Sequence, residues 1–153
     1  MIKFRLYPEN KSLYFRVYIL SNRQAMRKFL IAGRVYTKKQ AKRAYACVLT
    51  VLKGKCYGAI FFNLEDFTDS VVAHELQHAV FAFAERKKIL SDPLFYLRSP
   101  ETGRKLEEKL AEVAGELAWQ FRWKCRKNNI GIKWRSARFA VGNMLILLII
   151  KSR

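Results

Sequence analysis

The residues best suited to chemistry in this chain are its two histidines, His74 and His78, which enclose Glu75 in the segment HELQH. On an α-helix, positions four apart differ by about 40° around the axis, so both imidazoles project from one face. Two neutral imidazoles one turn apart can bind a single zinc ion. Glu75 would lie beside that ion, where its carboxylate can take a proton from a zinc-activated water and pass it to a leaving group. The segment therefore predicts a hydrolytic zinc site.

The HELQH segment lies within a predicted amphipathic helix that begins at Thr68 or Asp69 and continues to about Lys88. Threonine and aspartate are both favoured at helix N-termini. The apolar side chains of this helix share one face, which consists of Val72, Leu76, Ala79, Val80 and Phe83. The histidines occupy the other side, away from the expected core. The alternative interpretation is that they are ordinary surface residues of an amphipathic helix.

A catalytic zinc ion needs a third protein ligand and an open position for water. The sequence has no further histidine, and its three cysteines form no CxxC pair. The carboxylates of the next predicted helix, in RKLEEKLAEVAGELAWQF, are therefore the natural source of the third ligand. We predict that helix from about Pro100 to Lys127, since proline is favoured in the first turn and Asn128 follows the last.

HELQH followed by Glu108-x-x-Ala111-Glu112 resembles the gluzincin class of zinc metallopeptidases, and also small peptidases of phages and prokaryotes. The resemblance covers about residues 57–121. It implies a minimal zincin-like α+β fold, a protein or peptide substrate, and Glu112 as a carboxylate that orients a histidine. The site so implied consists of Glu75 as the general base and of His74, His78 and Glu108 as ligands of one Zn²⁺ ion per chain.

Helical geometry gives a separate argument for the third ligand. Ala111, Gly115 and Ala118 form a stripe of small residues on which another helix could approach closely, and Glu108 flanks that stripe. A glycine in mid-helix costs about 1 kcal/mol relative to alanine, so we expect a packing reason for Gly115. Glu107 is the alternative ligand. The EExxxE pattern is otherwise typical of a solvated helix face with charge pairs one turn apart.

Two further parts of a peptidase site have candidates in the sequence. Many gluzincins stabilise the tetrahedral oxyanion with a further histidine or tyrosine, and here the alternatives are Tyr57, Tyr96 and Arg98. The segment YGAIFF, residues 57–62, precedes the HELQH helix. We expect it to form the edge strand that binds an extended peptide by β-addition, although a plain core strand has the same pattern.

The remaining elements form the frame that positions these residues. Alternating apolar side chains and turn residues predict strands over residues 2–7, 12–20 and 28–35, the first two joined as a hairpin. Thr37 and Gln40 form a capping box, and helical spacing then predicts a helix from Lys38 to Leu52. We therefore expect an α+β domain, with a small N-terminal sheet containing antiparallel strands, one backing helix and two metal-bearing helices.

The chain is strongly basic, with 30 Lys and Arg against 12 Asp and Glu and a net charge of +18. Residues 1–60 carry +13 (fourteen bases, one acid), residues 61–120 carry −4 (seven bases, eleven acids) and residues 121–153 carry +9 (nine bases, no acid). The basic flanks indicate nucleic acid, an anionic membrane surface or an acidic protein as partner, or else only a solvated surface. The alternative function is a nucleic-acid-binding accessory protein whose HELQH helix is structural or holds a non-catalytic metal.

The basic flanks also contain an aromatic run, WQFRWKCRK, over residues 119–127. Such a run can stack on bases while its cations meet phosphates, although an amphipathic helix end with core and rim residues explains it as well. Beyond it, the apolar stretch 139–150 could pack on the domain, on a partner or on a membrane surface. The run alone therefore identifies no partner.

Length and composition bound the organisation of the chain. The 153 residues, 51% of them hydrophobic, suit one domain over residues 1–136, followed by an apolar and basic tail over residues 137–153. The first dozen residues lack the apolar run of a signal peptide, and no stretch reaches the roughly 18 apolar residues of a spanning helix. An odd number of cysteines suits a reducing compartment. We expect a cytoplasmic protein with no transmembrane span.

Overall fold

The structure, a computed structural model, describes residues 1–9, 12–50, 54–89 and 100–132. Within these ranges the elements in chain order are β1 (Ile2–Leu6), β2 (Tyr14–Leu20), α1 (Arg23–Ala32), α2 (Lys38–Arg43), β3 (Ala46–Thr50), β4 (Cys56–Asn63), α3 (Asp69–Arg86) and α4 (Pro100–Lys127). Tyr96, Arg98 and the tail of residues 137–153 lie outside the described residues, so the expectations placed on them stay predictions.

The strands form one four-stranded mixed sheet in the order β1-β2-β4-β3. β1 and β2 pair antiparallel, with Phe4 opposite Val17, which confirms the predicted hairpin. β2 and β4 run parallel, and β3 pairs antiparallel with β4 at the edge of the sheet. The described part of the chain is therefore an α+β domain, as the sequence predicted.

Helices cover the two faces of this sheet unequally. α3 packs beneath β3 and β4, while α4 packs beside α3 and against β1. The larger core lies on this side, and its largest side chains with less than 2% exposure are Tyr57, Phe15, Phe62, Phe83, Phe121, Leu6, Ile19, Ile60, Leu117 and Val17. On the other side, a smaller core joins Met26 and Leu30 of α1 to Leu20, Cys47 and Phe61 of the sheet. The long helices thus share the main core, and α1 backs the sheet.

The predicted strand over residues 28–35 is wrong, because this segment belongs to α1 and the turn after it. Asn22 caps that helix, its Oδ1 accepting from the Ala25 amide at 2.8 Å. Met26 and Leu30, four residues apart, are both fully buried. The apolar spacing of this segment is therefore helical, and the residues that fix it lie partly before residue 28.

The predicted helix from Lys38 to Leu52 is also wrong beyond its first turns. The capping box is present, with the Thr37 amide donating to Gln40 Oε1 at 3.0 Å, but α2 ends at Arg43. Ala44 is already extended, and the next residues form β3, which pairs along its length with β4. Hydrogen bonding to a strand later in the chain overrides the local helical pattern here.

The segment YGAIFF is not an edge strand. It lies in β4, between β2 and β3, so its backbone groups on both sides are used within the sheet. β3 approaches it closely at Gly58, where a Cβ atom would overlap the carbonyl oxygen of Leu49. The edge strand beside the HELQH helix is therefore β3, and YGAIFF is a core strand.

Candidate metal centre

The HELQH segment is held by a helix that is well defined at both ends. Thr68 Oγ1 accepts from the Val71 amide at 3.3 Å, which confirms the predicted N-cap of α3. All five residues of the predicted apolar face, Val72, Leu76, Ala79, Val80 and Phe83, are buried. The predicted helix is confirmed over Asp69–Arg86, and the sheet fixes its rotation so that His74 and His78 are exposed.

The two imidazoles converge on one point outside α3. Their ring centroids are 4.7 Å apart with an edge-to-face orientation, and the distance between His74 Nε2 and His78 Nε2 is 3.1 Å. Two nitrogen ligands of a tetrahedral zinc ion, each about 2.1 Å from the metal, are about 3.4 Å apart. The histidine pair therefore fits a shared zinc ion after an adjustment of a few tenths of an ångström. In its present form the pair can also share one N–H···N hydrogen bond.

Glu75 lies on the same turn but faces inward, with 6% of its surface exposed. Its charge acts on Cys47 of β3 and on Tyr36, whose pKa values burial raises to about 12, so the carboxylate lies toward the edge strand. Burial raises the pKa of Glu75 itself to about 7. Among the residues that the structure describes, no side chain or backbone group forms a hydrogen bond or ion pair with this carboxylate.

A buried carboxylate without partners is unusual, because desolvating a charged or polar group costs free energy that hydrogen bonds normally offset. Ideal helix geometry puts Glu75 about 100° around the axis from His74 and about 60° from His78. The carboxylate thus borders the exposed histidine pair on one side and the edge strand on the other. Packing alone gives no reason for an acid at this position.

The third predicted ligand does not join this pair. Glu108 is 69% exposed and pairs with Arg104 at 3.7 Å, one turn earlier on α4. Glu107 is half-buried, and Glu112 is exposed. Within residues 1–9, 12–50, 54–89 and 100–132, no group of three or more His, Cys, Asp and Glu side chains is arranged to hold a metal ion. Two of the expected ligands are therefore brought together, and the third is not.

The packing argument for Glu108 is wrong. The buried face of α4 consists of Leu110, Val113, Leu117, Phe121 and Cys125. Ala111 and Gly115 are exposed, and a Cβ atom added at Gly115 would meet no atom of the described residues within 4 Å. Among the described residues, large apolar side chains set the approach of α4 to its neighbours, and of the three small residues only Ala118 packs against the core.

The packing does show how α3 and α4 run relative to each other. Phe121 of α4 lies against Phe67, just before α3, with ring centroids 6.0 Å apart. Near the opposite end of α3, Lys87 and Lys109 of α4 both bind Glu9, at 2.8 and 3.2 Å. The two helices are therefore antiparallel neighbours, and a carboxylate of α4 must turn toward α3 to reach the histidines.

Tyr57 is excluded as an oxyanion-stabilising residue. It is 1% exposed, stacks on Phe15 at a centroid distance of 5.2 Å and contacts Phe83 near the far end of α3. Phe83 follows His74 by nine residues, or about 13 Å of helix rise. Tyr57 is thus a core residue at the wrong end of the helix.

A polar network that sequence reasoning missed connects the edge strand to the start of α3. Asn63, at the end of β4, is 1% exposed and donates to the Tyr45 carbonyl at 2.6 Å and to Asp66 Oδ2 at 2.9 Å. Asp66 in turn accepts from Arg23 Nε at 2.9 Å, and chiefly this bond lowers the pKa of Asp66. The sequence NLED directly after an apolar strand could have indicated this turn. In such turns an Asn or Asp side chain typically binds a backbone amide two or three residues later.

The chain matches no protein-family model, no curated protein and no solved structure. The described helices include none with the length and apolar composition needed to cross a bilayer. The candidate site, on a small α+β domain, must therefore be interpreted from its own residues.

Proposed function

We propose that this protein is a zinc-dependent metallopeptidase whose site is built on α3. The observation that supports it best is the pairing of two features on adjacent turns. The Nε2 atoms of His74 and His78 lie 3.1 Å apart on the exposed side, and Glu75 beside them is 6% exposed without a partner among the described residues. The histidine pair suits a metal ion, and the buried carboxylate suits a general base.

Each residue of HELQH then has a separate task. Zinc, when bound by His74 and His78, supplies a Lewis acid that polarises the scissile carbonyl and makes water acidic. Glu75 accepts the proton of the attacking water and delivers it to the nitrogen of the leaving amine. The apolar surroundings of Glu75 favour this role, because they strengthen its interaction with a nearby positive charge and keep other donors away from the carboxylate.

The third ligand is proposed to come from α4. The gluzincin resemblance favours Glu108, whereas burial favours Glu107, which is half-buried while Glu108 is exposed. Neither carboxylate meets the histidines among the described residues, so binding zinc would require a change in how α4 packs against α3. Zinc binding would supply the driving force for that change, because a third anionic ligand satisfies the coordination of the ion.

The substrate is proposed to be an extended peptide. β3 is an edge strand of the sheet, and α3 packs directly beneath it. An extended peptide could add to this edge through backbone hydrogen bonds, which would place its carbonyl groups along the side of α3 that carries Glu75. Residues 46–50, rather than YGAIFF, are therefore proposed to bind the extended peptide at the edge of the sheet.

The test compares two substitutions on the same helix. Glu75→Gln removes the buried base, and Glu85→Gln removes an exposed carboxylate three turns away as a matched control. Cleavage of β-casein by the zinc-loaded protein is followed by mass spectrometry. We expect Glu75→Gln to lose at least about 100-fold in rate, the lower bound for loss of a general base, with zinc retained. Cleavage at an equal rate by Glu75→Gln, or none by the zinc-loaded wild type, would contradict the proposal.

A further inference from the structure

The outer face of the β1–β2 hairpin, on the side of the sheet opposite α3 and α4, is unusually rich in cations and tyrosines. Because side chains alternate along a strand, Lys3 and Arg5 share this face with Tyr14, Arg16 and Tyr18. The strand register places Lys3 opposite Tyr18 and Arg5 opposite Arg16. We name these five residues the hairpin face.

Helix α1 covers only one end of the hairpin face. Tyr18 is stacked on Phe61 of β4 with centroids 5.0 Å apart, and it also contacts Phe29 of α1 at 5.6 Å. Lys3, Arg5 and Arg16 are exposed. A depression of about 300 Å³ lies along this surface, bordered by the three cations, Tyr18, Phe4 and Val17. The part of the sheet that the described helices leave uncovered is thus a shallow basic groove.

The cations of this groove lie against aromatic rings. The guanidinium carbon of Arg5 is 4.4 Å from the centre of the Tyr14 ring, and that of Arg16 is 5.9 Å from the same ring. The Tyr14 ring also makes an edge contact with Tyr7, at a centroid distance of 6.1 Å. Tyr14 is therefore a half-buried residue whose ring lies between two positive charges and a second tyrosine.

No acidic residue neutralises these charges within the part of the chain that the structure describes. Lys3, Arg5 and Arg16 form no ion pair with any described carboxylate, and Glu9, the acid nearest to them in sequence, is bound by Lys87 and Lys109. Cations that line a shallow groove without acidic partners favour a polyanion with a regular charge spacing. The tyrosine rings beside these cations favour a polyanion that carries aromatic rings free to stack.

We propose that the hairpin face binds single-stranded nucleic acid, with Lys3, Arg5 and Arg16 on consecutive phosphates and Tyr14 stacked on a base. Base stacking on an exposed aromatic ring and backbone tracking by cations are the two interactions that such surfaces combine. A duplex buries its base faces and would use only the cations. An anionic membrane would attract the same cations, but its headgroups offer no ring on which Tyr14 could stack. This inference is independent of the proposed peptidase site.

The first experiment measures binding of the full chain to fluorescein-labelled dodecamers of oligothymidylate and oligouridylate by fluorescence anisotropy at several salt concentrations. Three phosphate contacts on a single strand predict that log K falls with log salt at a slope of about −2 from this face. Substitution of Lys3, Arg5 and Arg16 by Gln should reduce the magnitude of the slope by about 2 and weaken binding at least about tenfold at low salt. The control replaces Lys38, Lys39 and Lys42 of α2, all exposed, by Gln.

Both triple variants lose the same net charge, so only a specific surface distinguishes them. A smaller loss of affinity in the α2 control supports binding at the hairpin face, and equal losses overturn it.

A second pair of variants separates stacking from charge. Tyr14→Leu should weaken binding about tenfold, while Tyr14→Phe, which keeps the ring, should bind like the wild type. Equal binding by both tyrosine variants, or binding to phosphatidylglycerol vesicles but to neither dodecamer, overturns the proposal. Stronger binding of either dodecamer than of a matching duplex supports it.

Discussion

The two long helices differ in how far they bring their chemical groups together. On α3, His74 and His78 are one turn apart and their Nε2 atoms are within 3.1 Å of each other, while Glu75 is buried next to them. On α4, Glu108 is 69% exposed and pairs with Arg104 of its own helix. The histidine pair is fixed by the geometry of a single helix. A third ligand also requires the correct rotation of a second helix, which the buried apolar face of α4 controls.

The largest effect that we predict concerns the residue that fixes α4 in place. Phe121 is fully buried and contacts Phe4, Phe62 and Phe67, with ring centroids 5.7, 5.3 and 6.0 Å away. Phe121→Ala should lower the free energy of unfolding by about 3–5 kcal/mol, because it leaves a cavity where four rings meet. Trp119→Ala, at a position 62% exposed on the same helix, should change it by less than about 0.5 kcal/mol. Similar losses in urea unfolding for both variants would show that α4 is not anchored by its apolar face.

The next largest effect identifies the third ligand. One of Glu107→Gln and Glu108→Gln should weaken zinc binding by more than the roughly 10–100-fold that loss of an outer-shell group causes. The other variant, and Glu112→Gln, should stay within about tenfold of the wild type. Competition with a chromophoric zinc chelator measures all three affinities. Three unchanged affinities would show that none of Glu107, Glu108 and Glu112 is the third ligand, which would contradict the proposed site.

A smaller, pH-dependent effect is expected from the turn that leads into α3. Because Arg23 and Asn63 bind the ionised Asp66, its pKa in the folded protein lies below the ordinary 3.8. Ionised Asp66 therefore stabilises the fold above about pH 4, and this contribution is lost as the pH falls through the lowered pKa. Asp66→Asn should cost about 1–2 kcal/mol at pH 7 and progressively less below pH 4. Urea unfolding of the wild type and of Asp66→Asn at pH 7 and pH 3 measures this difference. An equal loss of unfolding free energy at both pH values would exclude a role of the Asp66 charge.

The smallest effect tests the correction at Gly115. An added Cβ atom meets nothing within 4 Å in the part of the chain that the structure describes, and the position lies inside a helix. Gly115→Ala should therefore raise the free energy of unfolding by about 0.5–1 kcal/mol, since alanine loses less conformational entropy in a helix. Thermal unfolding measures the change. If Gly115→Ala were less stable than the wild type, another helix would have to approach the small-residue stripe closely, as the sequence suggested.

Local patterns predicted much of this fold. The alternation in IKFRLY predicted β1, and the spacing of Val72, Leu76 and Val80 predicted α3, because each signal is contained in the element itself. The predictions for residues 28–35 and 46–50 were wrong for different reasons: the first segment continues a helix that begins at Arg23, whereas the second pairs with a later strand. Residues 46–50 continue a helical spacing after the capping box at Thr37, yet they form β3 because β4, ten residues later, offers a backbone partner. Strand pairing depends on tertiary contacts, and the spacing of apolar residues within one segment does not reveal them.

The same distinction explains what the sequence predicted of the site. The exposed position of His74 and His78 follows from the apolar face on the other side of their helix, and the structure confirms it. The inward orientation of Glu75 depends on where β3 lies, and that strand was predicted as helix. The choice between Glu107 and Glu108 depends on the rotation of α4, which in the structure is determined by Leu110, Val113 and Leu117 rather than by small residues.

The central claim is that His74 and His78 share one metal ion. Its most direct test is the zinc content of the purified full chain, measured by elemental analysis after dialysis against zinc, for the wild type, His78→Ala and the control Glu85→Gln. We predict one zinc per chain in the wild type and in the control, and none in His78→Ala. A wild type without zinc, or a His78→Ala variant that retains it, would contradict the account and leave HELQH as an ordinary helix surface.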